Sequence, residues 1–80
     1  MSDFKWVGYN LDKIGLHALS PREVEFAWHR RWDVGGGDHP VHGPYTESDG
    51  PCPSGRVVRI VWRYDVGWDG EEKVYVITAF

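Results

Sequence analysis

The sequence predicts a single α+β domain in which two short helices come first and antiparallel strands follow. Three observations carry that prediction. Ser20-Pro21-Arg22-Glu23 is written as a helix start, and Arg56 to Tyr64 and Lys73 to Phe80 are strand-forming runs joined by a turn. The length of 80 residues leaves room for one domain, and a single cysteine excludes an internal disulfide as its staple. Aromatic residues make up 15% of the chain, five of them Trp, so a core with few members is built from large ones. Hydrophobic content of 41% and charged content of 26% belong to a globular chain rather than a disordered one.

Taken in order, Phe4-Lys5-Trp6-Val7 alternates loosely and predicts an edge strand or anchoring arm, because Phe4 and Trp6 are costly to leave in water. Asn10 reads as the cap of a short helix that buries Leu11 and Ile14 and stops at Gly15. A second helix is predicted from about Pro21 to Arg31. Ser20 is its N-cap, Pro21 sits where a missing N–H costs nothing, and Glu23 completes a capping box. Leu19 and Val24 are spaced for a hydrophobic staple. Val24, Ala27 and Trp28 continue the apolar face, and Arg22, Glu25 and His29 are left for water.

After Trp32 the character changes. Gly35-Gly36-Gly37 is a breaker, and the stretch to Ser54 holds four of the five prolines. It reads as a long functional or mobile loop, with a weak strand at Val41 to Thr46 interrupted by Pro44. Gly55 then opens the strongest strand, Arg56 to Tyr64, and a turn at Trp68-Asp69-Gly70 returns the chain as an antiparallel hairpin. Period-two alternation places Arg56, Val58, Ile60, Trp62 and Tyr64 toward the helices, and Val57, Arg59, Val61 and Arg63 on the open face.

The net charge of −3 and pI of about 5.7 exclude a surface that is basic throughout. Ser54 to Tyr64 nonetheless carries three arginines and no acid. No apolar run is long enough to span a bilayer, the N-terminus is not a secretory signal, and the lone cysteine suits a reducing compartment. The expectation is a cytoplasmic protein without a membrane partner.

Arg56, Arg59 and Arg63 are candidates to grip phosphate and stabilise a phosphoryl transition state; the alternative is pairing with Asp65, Asp69, Glu71 or Glu72 across the hairpin. Arg30 and Arg31, at a helix end where the dipole favours cations, and Lys73 are candidate RNA contacts. His17 either bonds backbone near the Ser20 cap or acts as a general acid or base. His42, with Tyr45 and Glu47 close by in the long loop, could supply the proton transfers of metal-independent RNA cleavage, in which the 2′-hydroxyl attacks phosphorus. Asp38, His39, His42 and Cys52 match no standard zinc spacing, so no metal or cofactor is expected. Cys52 lies between two prolines with no base fixed beside it and reads as a tolerated thiol. Gly35-Gly36-Gly37 lacks the lysine and the strand-to-helix context of a phosphate loop. Tyr9, Trp32, Tyr45 and Trp68 are the side chains available to stack on bases if exposed.

In order along the chain, Trp6, Tyr9-Asn10-Leu11-Asp12-Lys13-Ile14, His17, Leu19-Ser20-Pro21-Arg22-Glu23-Val24, Ser54-Gly55-Arg56 and Val76-Ile77-Thr78-Ala79 resemble the BrnT family of toxins, which is similar in fold to RelE-type ribonucleases of type II toxin–antitoxin systems. The resemblance implies helices packed on a small twisted antiparallel sheet, metal-independent cleavage of RNA, and silencing by a partner antitoxin; a homo-oligomer, or a hetero-oligomer with the antitoxin, is the expected assembly. It puts Arg56 at the family's Gly-Arg position and His17 at its histidine. Phe80 stands where the family has an arginine followed by a charged helix, the stretch from Gly35 to Ser54 is longer, and the chain is acidic where the family is basic. The alternative expectation is a catalytically inactive RelE-like module that binds a protein partner through the sheet face or an unpaired edge at Val76 to Phe80.

Overall fold

Local chemistry sets the two helices. In the computed structural model, which describes residues 3–80, α1 spans Gly8–Gly15 and α2 spans Pro21–His29. The Ser20 cap forms reciprocally, the Glu23 N–H donating to Ser20 Oγ at 3.3 Å and the Ser20 N–H donating to Glu23 Oε1 at 3.1 Å. The helix ends two residues before the predicted Arg31. Asn10 does cap α1, but from its third position: it is buried, accepts the Val7 N–H at 2.7 Å and donates to the Lys5 carbonyl at 2.8 Å. Ile14 is buried as expected. Leu11 is not, at 39% exposure, because so short a helix offers the core only the stripe through Asn10 and Ile14.

Four strands follow: β1 (Trp32–His39), β2 (Gly43–Pro51), β3 (Val57–Val66) and β4 (Glu72–Ala79). They form one antiparallel sheet in chain order, so the molecule is α+β. The predicted Arg56–Tyr64 and Lys73–Phe80 hairpin is present as β3 and β4. Ahead of it, the N-terminal arm meets β4, with Phe4 bridging Val74 in parallel and the Lys5 N–H donating to the Val74 carbonyl at 2.8 Å. The other edge of β4 pairs with β3 up to Ala79, and Phe80 exchanges two backbone hydrogen bonds with Arg59.

The long loop expected between Gly35 and Ser54 is instead the β1–β2 hairpin. Its first strand is hidden in the sequence because every residue of β1 is exposed, so no apolar alternation marks it. Its glycines pair directly with β2. A Cβ at Gly36 would lie 2.5 Å from the Tyr45 carbonyl oxygen, so the three glycines that look like a breaker permit a close strand approach.

The core lies between α2 and one face of the sheet. Val24, Ala27 and Trp28 share one buried cluster with Ile14, with Val58, Ile60 and Trp62 of β3 and with Val74, Val76 and Ala79 of β4, α2 lying on β2 and β3 and α1 on β4. Trp28 packs edge-on to Trp62 with ring centroids 5.3 Å apart. Gly50 lets the helix sit directly on β2, since a Cβ there would fall on the Ala27 carbonyl oxygen. Buried Ser48 donates to Asp33 at 2.6 Å and accepts the Trp62 Nε1–H at 2.9 Å. The predicted inward set on β3 holds for Val58, Ile60 and Trp62; Arg56 precedes the strand, which runs from Val57 to Val66, and both Arg56 and Tyr64 are exposed. Cys52 is buried in the β2–β3 turn with Sγ 3.9 Å from the Glu23 carbonyl, and burial raises its thiol pKa. No helix among the described residues is long and apolar enough to cross a membrane.

Candidate functional site

The open face of the sheet is ordered in cross-strand rows. Glu47 pairs with Gly35 on one side and Val61 on the other, and Val61 pairs with Thr78. One step along, Tyr45 faces Gly37 while Arg63 faces Tyr75. A bulge between Val61 and Trp62 relative to β4 leaves Ile77 as the extra residue, and it turns toward the open face beside Thr78.

Helix α1 and the tip of the first hairpin wall this face into a concavity of about 350 Å³. Tyr9 and Lys13, one helical turn apart, come from α1; His39, Val41 and His42 come from the hairpin tip; Tyr45 and Glu47 rise from β2. The tip is fixed by His39, whose Nδ1 accepts the N–H groups of Val41 at 3.0 Å and His42 at 3.2 Å. The His39 ring lies with its centroid 4.8 Å from that of His42. His42 is also 6.0 Å from the Tyr75 ring and 6.5 Å from the Tyr9 ring. Partial burial lowers the His42 pKa, and the neighbouring His39 and Arg63 lower it further, so the imidazole is neutral at pH 7.

The three loop residues singled out from the sequence, His42, Tyr45 and Glu47, thus share one concavity. Arg63 is close behind: its guanidinium lies 4.6 Å from the Tyr75 ring, with Asp65 at 3.6 Å, and its Nε has no hydrogen-bond partner among the described residues. The remaining candidates lie elsewhere. Arg59 is held by Asp49 through two hydrogen bonds of 2.8 and 3.1 Å, a pairing that raises the arginine pKa and lowers that of the carboxyl. Arg56 donates to the His17 carbonyl at 3.1 Å, so these two sit together beyond the end of α1. Arg31 stacks 3.8 Å over Trp28 and bonds its carbonyl, Arg30 stacks 3.6 Å over Phe26, and Lys73 is clamped by Asp3 at 3.0 Å and Asp69 at 3.1 Å. Of the zinc candidates, His39 and His42 are neighbours, whereas Cys52 is buried in the β2–β3 turn.

Sequence reasoning missed Lys13 as a site residue. Its spacing of four from Tyr9 was the available signal, because that spacing gives both one helical face. It also missed the glycines, which make room for the site: a Cβ at Gly37 would lie 2.9 Å from the Tyr45 hydroxyl, and one at Gly35 would touch the Glu47 carboxylate at 3.5 Å.

Chemically, the concavity offers a neutral imidazole, a phenol, a carboxylate and an ammonium group around a small apolar floor. This is a set suited to moving protons beside a bound anion. No protein-family model matches the chain, and no curated protein or solved structure matches it significantly.

Proposed function

We propose that the chain is a BrnT-like toxin of RelE fold, a metal-independent endoribonuclease that cleaves RNA in the cytoplasm and is silenced by a cognate antitoxin. The observation that carries the reading is the convergence of His42, Tyr45 and Glu47 with Lys13 in one concavity. The order of two helices followed by a four-stranded antiparallel sheet also supports it. Neutral His42 takes the proton of a 2′-hydroxyl. The 2′-oxygen then bonds to phosphorus, the bond from phosphorus to the 5′-oxygen breaks, and the products are a 2′,3′-cyclic phosphate and a 5′-hydroxyl. Lys13 offsets charge on the phosphoryl oxygens, and Tyr45 gives the leaving 5′-oxygen its proton. Glu47 holds the arrangement by accepting hydrogen bonds from the substrate ribose. In this scheme the arginines move to supporting roles. Arg63 adds to the lowering of the His42 pKa that burial and His39 produce, and Arg59 is already committed to Asp49.

Expression of the chain alone is expected to arrest growth and fragment cellular RNA, and His42→Ala and Lys13→Ala are expected to abolish both effects. Unimpaired growth with intact RNA from the unaltered chain refutes the enzyme reading. The second reading, an inactive module that binds a protein partner, is favoured by β1, an edge strand exposed along its whole length and open to strand addition. It predicts a stoichiometric partner on purification and no RNA loss.

A further inference from the structure

Beyond the concavity, on the same face of the sheet, runs a row that the proposed chemistry does not use. Trp32 of β1 pairs with Asp49 of β2, Asp49 pairs with Arg59 of β3, and Arg59 exchanges backbone hydrogen bonds of 2.7 and 2.9 Å with Phe80. The neighbouring pair confirms the sidedness. Asp33 reaches buried Ser48 on the core side, so Trp32 lies on the other. Trp32 is 50% exposed and Phe80, whose ring centroid lies 5.8 Å from that of His17, is 48% exposed, so two half-exposed aromatic side chains stand about 14 Å apart by the strand spacing. Between them the two-pronged bond to Asp49 holds the Arg59 guanidinium, on a side chain 41% exposed.

We infer that Trp32, the Asp49–Arg59 pair and Phe80 form a stacking subsite for the bases of single-stranded RNA that flank the phosphate bound in the concavity. The inference rests on the ribonuclease reading and adds where its substrate lies. Charge selects the occupant. Asp49 already satisfies Arg59, so this row presents planar faces and no free cation, and bases are the planar uncharged part of RNA. Phosphate is left to Lys13 in the concavity. Geometry selects the register: Asp49 is four residues along β2 from Tyr45, about 13 Å, so the row engages flanking bases rather than the nucleotide being cleaved. The path between them is open toward β1, because Gly35 and Gly37 contribute no side chains to this face.

The test is fluorescence anisotropy with a short, dye-labelled 2′-O-methyl oligoribonucleotide, which has no 2′-hydroxyl to attack and so reports binding alone. Trp32→Ala and Phe80→Ala are each expected to raise Kd at least about fivefold, at the lower end of what base stacking supplies, and Trp32→Phe to recover most of the loss. Val66→Ala is the control, since Val66 is 58% exposed at the far end of β3, outside this row, and its variant is expected to bind like the unaltered chain. Circular dichroism checks that each variant is folded. Equal affinity for the unaltered chain, Trp32→Ala and Phe80→Ala overturns the inference, as does no binding by the unaltered chain. If the unaltered chain still cleaves RNA under the first outcome, the ribonuclease reading stands without the subsite. If binding depends on Trp32 and Phe80 but no RNA is cut, the subsite stands and the ribonuclease reading falls.

Discussion

Gly50→Ala probes the contact that holds α2 to the sheet. The added Cβ would fall on the Ala27 carbonyl oxygen and lie 2.8 Å from the Ala27 carbonyl carbon and 3.2 Å from its Cα. All three atoms are backbone, so no rotamer change relieves the overlap, and the helix must lift from β2. Inserted core atoms typically cost about 1–3 kcal/mol, and a rigid partner puts this case at about 3 kcal/mol. A domain of this size has a total stability of about 4–12 kcal/mol, so the loss is a large share of it. At about 4–8 °C per kcal/mol, Tm falls by about 12–24 °C. Gly35→Ala is the matched control, because its Cβ meets only the flexible end of Glu47 at 3.5 Å. Urea unfolding followed by tryptophan fluorescence reads both, Trp28 and Trp62 being packed in the same core. A Gly50→Ala variant within about 0.5 kcal/mol of the parent, or a Gly35→Ala variant equally damaged, refutes the close packing of α2 on β2.

Three further outcomes are expected. Ser48→Ala removes the acceptor of the Trp62 indole and the donor to Asp33, and should cost about 1–3 kcal/mol by urea unfolding because the indole N–H is left buried and unpaired. Gly37→Ala pushes the Tyr45 ring from its seat at the rim of the concavity; RNA cleavage should fall at least about tenfold while Tm moves little, β1 being exposed at that point. His42 has a folded pKa below its unfolded value, so its contribution to stability is fully present above about pH 6.5 and is lost as pH falls toward the folded pKa. Tm measured against pH should therefore fall more steeply below that point in the parent than in His42→Gln, and parallel curves would count against burial of the neutral ring.

Legibility followed the physics of each segment. The Ser20–Glu23 cap is a local hydrogen-bond exchange over four residues, and it was readable letter by letter. The two faces of β3 follow from side-chain alternation, which places Val58, Ile60 and Trp62 inward and Arg59 and Arg63 outward whatever their partners. The first hairpin was not readable, because its outer strand buries nothing and glycine carries no preference that a pattern can register. Its consequence for the site was large. Treated as a loop, His42, Tyr45 and Glu47 are three neighbours in sequence with no defined geometry. As a hairpin, Tyr45 and Glu47 share the open face, and His42 leans over them from the turn.

The α+β class, the second helix with its cap and the β3–β4 hairpin are written in the chain itself, since each depends on contacts within a few positions or on simple alternation. Which charges are already paired is settled by long-range contacts. Arg59 and Lys73, candidates by residue type, are taken by carboxylates that the fold brings beside them, and Lys13, not a site candidate by sequence, is delivered to the concavity by the way α1 docks on β4. The reason is that a side chain's availability is set by which distant residues share its surroundings, and strand register and helix docking fix that pairing.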